Sequence, residues 1–443
     1  MPAWLRRGLP QRCRGRTARA RGYPRRARTK HVSARCTFAH VDLEALQSNF
    51  RAISGFLAAS AGSPEGEPYD NGERHDGGSV SGGPAPYGGP ARSADLQVGH
   101  AGRAPGIIAV VKANAYGHGA PAVGLALQQA GARILACADI EEAVVLRKAG
   151  VTAEILIFGA LSVSDVEGVF EYNLTPTLST PGAGRSLQAA AARHGVKLRC
   201  HLKIDTGMNR LGLRHDNLEV TLPELIASRN LEIVAVYTHF ATADDPESPL
   251  FQTQRERFEQ VLARLPQLGV APQLRHAANS AATLRDSRVW YDLVRPGLML
   301  YGVIPPPLAA TIPLSPVMSL RSRVVAVKGV RTGEIVGYGA RWTVPNPGRI
   351  AVVPAGYADG VDRRMAGSCA VLIRGRRAPI VGAVNMDMIT VDVSDVKVET
   401  GDEVVIIGRQ GDDRIDVREI AAAIGTNPYE VLCRIGTRIE RVY

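Results

Sequence analysis

Lys112 is the residue whose surroundings suit it best to chemistry. It stands inside IIAVVKANAYGHG, residues 107–119. The stretch begins as a short apolar run of the kind a buried parallel strand shows. At Lys112 it breaks into small and turn-forming residues, and a helical pattern follows from Ala120 to Ala130. The lysine is therefore expected where a strand ends and a loop begins. In an α/β barrel that end of the strands carries the chemistry. Apolar neighbours would strip water from its amine, and desolvation disfavours the charged ammonium. A neutral, nucleophilic amine is what a Schiff-base lysine needs. The competing reading is a lysine snorkelling from a strand end. That is the commoner case for an arbitrary lysine, and the rest of the chain decides between the two.

The elements around it alternate. RILACAD, AEILIFG, LTPTLS, KLRCHLKIDTG, LEIVAVYTHFA and QLRHAANSAA read as strands separated by helical patterns, and WYDLVRPGLMLY (290–301) ends the series. This rhythm predicts parallel βα units. CTFAHVDL (36–43) is also strand-like, and counting it as the first of the series gives about eight, which suits a (β/α)8 TIM-type barrel. An open doubly wound sheet is the alternative on pattern alone. Asp42 is placed to cap a helix over 43–57. From about Ser315 the segments are β-rich, with Gly and Asp at the turns, and helical patterns are missing until about Val417. A mainly antiparallel C-terminal β domain is expected over 313–443, after the Pro-rich IPPPLAATIPLSP. The barrel is expected over 37–312.

Two stretches stand apart. Residues 1–36 carry twelve Lys/Arg and no Asp/Glu, and read as a disordered basic tail. About 59–106 collapses into Gly, Pro, Ser and Ala, and reads as a low-complexity insertion at an αβ junction on the face opposite the catalytic loops. Removing the tail brings the net charge of +11 to near neutrality, with 41 basic against 42 acidic residues. The basic balance thus gives the folded body no nucleic-acid signature. No run of 18 apolar residues exists, so no membrane span is expected. Six cysteines show no paired short spacing, which argues against a disulfide framework or a metal site and for reduced thiols in a cytoplasmic protein.

VVKANAYGHG resembles the cofactor-lysine signature of the alanine racemases, which use pyridoxal 5′-phosphate (PLP), and the resemblance extends over roughly residues 37–443. It favours the barrel and implies that Lys112 carries the cofactor. Such a cofactor also needs a phosphate cradle, a partner for its ring nitrogen and acid/base groups. Ser280 in HAANSAAT, the backbone of Gly297 and Leu298, and Tyr116 match the cradle. Arg295 matches the arginine facing the ring nitrogen, where a group that does not readily give up its proton would keep that nitrogen unprotonated. His276 matches the histidine supporting this arginine, and His239 in YTHFATAD another active-site histidine.

Racemisation needs proton exchange on both faces of the substrate, hence two bases. Lys112 supplies one. Tyr338 in EIVGYGARWT matches the family's catalytic tyrosine, which reaches the barrel of the other subunit, so a homodimer with composite sites is implied. Arg210 matches the arginine near the substrate carboxylate, with Lys203 as its often carbamylated support. The Met386 amide matches the second carboxylate contact, with Asp387 beside it as an orienting group, and Tyr357 lines the approach. The resemblance implies an alanine racemase supplying D-alanine for peptidoglycan, with alanine as its small-molecule substrate, no metal and no nucleic-acid or membrane partner. The alternatives are a serine or broad-specificity racemase of the same fold, a decarboxylase of similar architecture, and a non-catalytic PLP-binding barrel.

Overall fold

The computed structural model describes residues 36–61, 104–159, 161, 166–309 and 311–443. The basic tail and most of the low-complexity insertion therefore lie outside the described residues. The first elements among the described residues are β1 (Phe38–Val41) and a helix, Leu43–Ala61. Asp42 caps that helix, its Oδ1 accepting the Ala45 amide at 2.8 Å. Leu46, Ile53 and Leu57, on one face, are fully buried.

Next come β2 (Gly106–Val110), β3 (Ile134–Cys137), β4 (Glu154–Ile157), β5 (Thr177–Leu178), β6 (Leu198–Asp205), the short β7 (Leu213–Arg214), β8 (Leu231–Tyr237), β9 (Leu274–Asn279) and β10 (Leu293–Arg295). Eight of these run parallel in the order β4-β3-β2-β10-β9-β8-β6-β5, and β7 adds to the edge of β6. Closure comes between β4 and the residues leading into β5. The Ile157 amide donates to the Thr175 carbonyl and the Thr175 amide to the Ile155 carbonyl, each at 2.9 Å. The barrel is thus nearly closed. Ile108, Ile134, Ala136, Leu156, Ala235, Leu274 and Leu293 pack as their own cluster, drawn from six barrel strands and apart from the larger core. Burying such a leucine or isoleucine contributes about 1.5–3 kcal/mol, and this inner layer makes the barrel a packed core rather than a pore.

The second sheet is built from β11 (Met318–Arg323), β12 (Ala326–Val330), β15 (Gly348–Val353), β16 (Ala370–Ile373), β17 (Arg376–Val381), β18 (Ile389–Asp392), β19 (Glu403–Gln410), β20 (Asp413–Ile415) and β21 (Glu440–Val442), while β13 (Ile335–Val336) and β14 (Trp342–Thr343) form a separate hairpin. Its order is β12-β15-β18-β17-β16-β19-β11-β1-β21, antiparallel except where β1 meets β21.

One expectation is corrected here. The strand in CTFAHVDL is not a barrel strand: β1 sits between β11 and β21 in the second sheet. The eight barrel strands are reached without it. The reason is visible in the pattern. Ala39 and Val41 are buried while His40 is exposed, the alternation of a strand with one wet face. The barrel strand β3, by contrast, is buried at every position.

Candidate functional site

The C-terminal ends of the barrel strands bring the predicted residues together. A cavity of about 200 Å³ is lined by Lys112, Tyr116, Lys203, Arg210, His239, Ser280, Arg295 and Gly297. Lys112 follows β2, Lys203 lies in β6, Arg210 in the loop after it, His239 just after β8, Ser280 after β9, and Arg295 ends β10. A different cleft, lined by residues such as Met318 and Arg321 of β11 and Ile407 of β19, is larger, yet contains none of the expected catalytic groups.

Lys112 behaves as its neighbours foretold. Burial pulls its amine below the usual lysine value, and the nearby Arg210 adds to this. Lys203 is more deeply buried and falls to about 7, first by desolvation and then by Arg295. Its ammonium lies 5.2 Å from the centre of the Tyr237 ring. A lysine that is partly neutral near pH 7 is open to carbamylation by carbon dioxide, the modification implied for this position.

Arg295 is almost fully buried and fixed by four contacts. One terminal nitrogen donates to His276 Nδ1 at 2.8 Å. The other faces the carbonyls of Thr238 and Ala277, at 2.9 and 2.8 Å, and His239 Nδ1 at 3.2 Å. Its Nε–H makes no hydrogen bond among the described residues. Burial lowers the guanidinium to about 10, so it stays charged at neutral pH. Because arginine only donates, His276 Nδ1 accepts, and its proton sits on Nε2. That proton points to His201 Nδ1, 3.0 Å away. The Tyr237 ring stacks on His276 with centroids 4.6 Å apart. Thr177 Oγ1 donates to the Ile157 carbonyl at 2.6 Å, so the Tyr237 hydroxyl donates to Thr177 at 3.0 Å.

These histidines are neutral. Burial, followed by Arg295, holds His239 and His276 far below the usual value, while burial carries His201 down to about 3 and His118 to about 4. In the unfolded chain a histidine titrates near 6.5, so below that pH the unfolded state binds protons the folded state refuses. The stability these groups contribute is full above 6.5 and is lost as pH falls from there towards 4 for His118 and 3 for His201. The expected outcome is a melting temperature that drops steadily below pH 6.5, each histidine contributing about 1.4 kcal/mol per pH unit. Calorimetry between pH 8 and 4.5 checks it, and a flat melting temperature across that range would contradict it.

The segment after Lys112 was not foreseen. Ala113, Asn114, Ala115 and Tyr116 all have φ between 52° and 55°, a left-handed turn made without glycine. Each such residue costs roughly 1–2 kcal/mol, so the surroundings must hold the turn. The Ala113 amide donates to Glu142 Oε1 at 2.6 Å, and Asn114 Oδ1 accepts the Ala120 amide at 2.8 Å. His118 Nδ1 faces the carbonyls of Ala115 and Tyr116 at 3.0 and 2.9 Å. The turn swings Tyr116 against Gly297. A Cβ on Gly297 would come within 2.4 Å of the Tyr116 hydroxyl, so the close approach requires glycine.

The cradle differs in detail from expectation. The Gly297 amide donates to Ser280 Oγ at 2.9 Å, with the Met299 amide at 3.4 Å. Ser280 therefore has its own O–H to offer an anion, while the Gly297 amide is already engaged. Leu298 is buried at the start of the following 3-10 turn. Tyr429, which sequence reasoning missed, closes the cavity beside Tyr116, ring centroids 5.8 Å apart. It comes from a short C-terminal helix, Pro428–Cys433, and nothing in its local sequence signals the long-range contact.

The remaining residues lie elsewhere. Tyr338, Tyr357 and Met386 are 78%, 44% and 52% exposed and do not line the cavity. Asp387 is also exposed and accepts a hydrogen bond from Arg438 at 2.7 Å. Backbone bonds join two of these loops, from the Tyr357 amide to the Asn385 carbonyl and from the Ala358 amide to the Met386 carbonyl. The Tyr357 and Met386 loops of the C-terminal domain are thus joined and exposed.

Two of the expected PLP contacts can be tested by shape and chemistry. The Ser280 hydroxyl, Lys112 and Arg210 border one cavity with a glycine-enforced gap, and Arg295 lines it as well. A phosphate and an aromatic nitrogen fit these donors. Among the described residues no cluster of metal-binding side chains occurs, and no helix is long and apolar enough to cross a membrane.

Comparison with known proteins gives the same direction. Residues 95–305 match the family model described as the alanine racemase N-terminal domain, and residues 317–443 the alanine racemase C-terminal domain. An alanine racemase from Symbiobacterium thermophilum is 43% identical over 343 residues, which is 77% of this chain and 91% of that protein. The structure of alanine racemase from Streptomyces lavendulae superposes with a TM-score of 0.80 at 32% identity, covering 93% of this chain and 97% of its own. That of the Bartonella henselae enzyme, which has covalently bound pyridoxal phosphate, gives 0.74 at 28% identity over 92% of this chain and 99% of its own.

Proposed function

The chain belongs to the alanine racemase family, and from that premise we propose that it interconverts L- and D-alanine with PLP as cofactor, Lys112 and Tyr338 acting on opposite faces of the substrate. The observation that carries this reading is the desolvated Lys112 at the top of the barrel, in one cavity with Arg210, Arg295 and Ser280. When bound, PLP supplies an electron-withdrawing ring that acidifies the α-hydrogen of an attached amino acid. Lys112 holds the cofactor and, with its lowered proton affinity, takes or gives a proton at Nζ on one face. Ser280 and Tyr116 hold the phosphate. Arg295 stays charged against the ring nitrogen and is kept from turning by His276 and two carbonyls. Arg210 attracts the substrate carboxylate, with Lys203 supporting it.

The second base is supplied by another copy of the chain. Tyr116, Tyr237 and Tyr429 line the cavity, but burial pushes all three phenols up and unsuits them to take a proton. Tyr338 is exposed and free to enter a partner's barrel, and Tyr357 and Met386 of the same domain are large apolar side chains left exposed in the single chain. A two-fold homodimer with two composite sites follows, each adding Tyr338 and the Met386 amide from the second copy. Asp387 orients the loop and Tyr357 lines the approach. A cytoplasmic enzyme making D-alanine for peptidoglycan is the physiological role we propose.

The test is the purified protein with PLP and L-alanine in deuterated water. Loss of optical activity with deuterium appearing at the α-carbon is expected. Incorporation without loss of optical activity would sink the two-face mechanism. A further expected outcome concerns the cradle. Gly297→Ala drives a methyl into the Tyr116 hydroxyl. It should weaken PLP binding by about 100-fold, equivalent to about 2.7 kcal/mol, as read by fluorescence titration. Unchanged affinity would remove Tyr116 and Gly297 from the cradle.

A further inference from the structure

The left-handed turn after Lys112 must be held open by something, and one contact to it is not explained by local structure. Glu142 lies in the first turn of the helix Ile140–Lys148, whose N-cap is Asp139. Asp139 Oδ1 accepts the Glu142 amide at 2.9 Å. A glutamate three residues after such a cap ordinarily reaches back to the amides at the helix start. Oε2 does nearly this, accepting the Ala138 amide at 2.9 Å. Oε1 does something else. It crosses to another βα loop and accepts the Ala113 amide at 2.6 Å, the first peptide N–H after Lys112. One carboxylate thus ties the end of β3 to the end of β2, at the point where the chain turns left-handed. A short charge-assisted bond of this kind is among the stronger ones.

We infer that Glu142 is a positioning residue for Lys112, fixing the direction in which its side chain leaves the strand by clasping the Ala113 amide. The clasp has a second consequence. The charged groups acting on Lys112 are Arg210 and Arg295, which lower its proton affinity, and Glu142 and Cys433, which raise it. His239 also faces it, held neutral. Glu142 is therefore both a mechanical stop and a counterweight to the two arginines. The proposal rests on Lys112 being the cofactor lysine, and its test separates the two ideas.

The experiment uses the full chain loaded with PLP, comparing Glu142→Ala, Glu142→Gln and Asp139→Ala with the parent. Hydrogen exchange by mass spectrometry reads the turn directly, and steady-state kinetics with alanine read its effect. Glu142→Ala should speed exchange over residues 113–117 by about tenfold or more and lower kcat by about 30- to 100-fold, with KM for alanine moving less than about threefold. Asp139→Ala loosens the same helix and should speed exchange over 140–148 while leaving residues 113–117 and kcat as they were. Glu142→Gln keeps an acceptor for Ala113 but loses the charge. It should recover kcat to within about fivefold while moving the lysine limb of the kcat/KM profile to lower pH. Unchanged exchange at residues 113–117 in Glu142→Ala would overturn the clasp. The same kinetic loss in Asp139→Ala would reduce Glu142 to a helix cap and overturn it too. Faster exchange with unaltered turnover would overturn the positioning role, whereas the assignment of Lys112 itself stands or falls with the activity of Lys112→Ala.

Discussion

Lys112→Ala is expected to lower alanine racemisation by at least about 10⁴-fold while leaving the fold intact. Removing one member of a group that acts as a unit characteristically costs four to six orders of magnitude, and Lys112 has two tasks in the proposed reaction. It anchors the cofactor and it exchanges a proton on one face. The loss should appear in both directions, because a site without this amine cannot complete either interconversion. Stability should change little. The side chain borders a cavity, and its burial in charged form is unfavourable next to Arg210 and Arg295. Chiral chromatography of alanine from both starting enantiomers checks the activity, and a melting temperature within a few degrees of the parent checks the fold. A small primary amine added to the variant should restore a fraction of the rate. Residual activity within about tenfold of the parent would show that another lysine carries the cofactor. Lys203, lowered to about 7 in the same cavity, would be the first to examine.

The parts of this site that sequence reasoning reached are those whose signal is local. A strand of apolar residues ending in a lysine, a serine opening a helix and an arginine before a glycine keep their meaning wherever the chain goes. The same holds for Asp42, which caps the helix it was read to cap. What escaped depends on contacts made across the fold. β1 was grouped with the barrel because it precedes a helix, as a barrel strand would. Its partners are 277 or more residues away, such as Arg321 opposite Phe38 and Glu440 on the other side. Only the alternation of buried Ala39 and Val41 with exposed His40 hinted at a half-wet sheet. The left-handed turn was invisible because Ala-Asn-Ala-Tyr has no intrinsic wish for it, and Glu142 supplies the reason from another loop. Tyr429 is hidden for the same cause. Its neighbours Asn427 and Pro428 announce a helix start and say nothing of Tyr116, over 300 residues back in the chain.

Tyr338 carries the other large expectation. Tyr338→Phe removes a single oxygen from an exposed side chain, so folding should be unaffected. Activity should nevertheless fall by about 10³-fold or more, as for loss of a positioned general acid or base. An exposed tyrosine outside the Lys112 cavity can have that effect only if something brings it there, and the proposed homodimer is what does so. The arrangement has a consequence that no monomeric site shares. Mixing Lys112→Ala with Tyr338→Phe, each inactive, allows subunits to exchange into hybrid dimers. In a hybrid one site pairs an intact Lys112 with an intact Tyr338, and the other site has neither. With random exchange half the dimers are hybrids, so about a quarter of the parent activity should return. If Tyr338 acted within its own chain, every site in the mixture would lack one base and nothing would return. The recovered fraction, measured by chiral chromatography after a denature-and-refold exchange step, thus reports which chain supplies the second proton. It also reports whether the dimer is needed for chemistry or only for stability, because dimers held together for stability alone would form in the mixture without regaining activity.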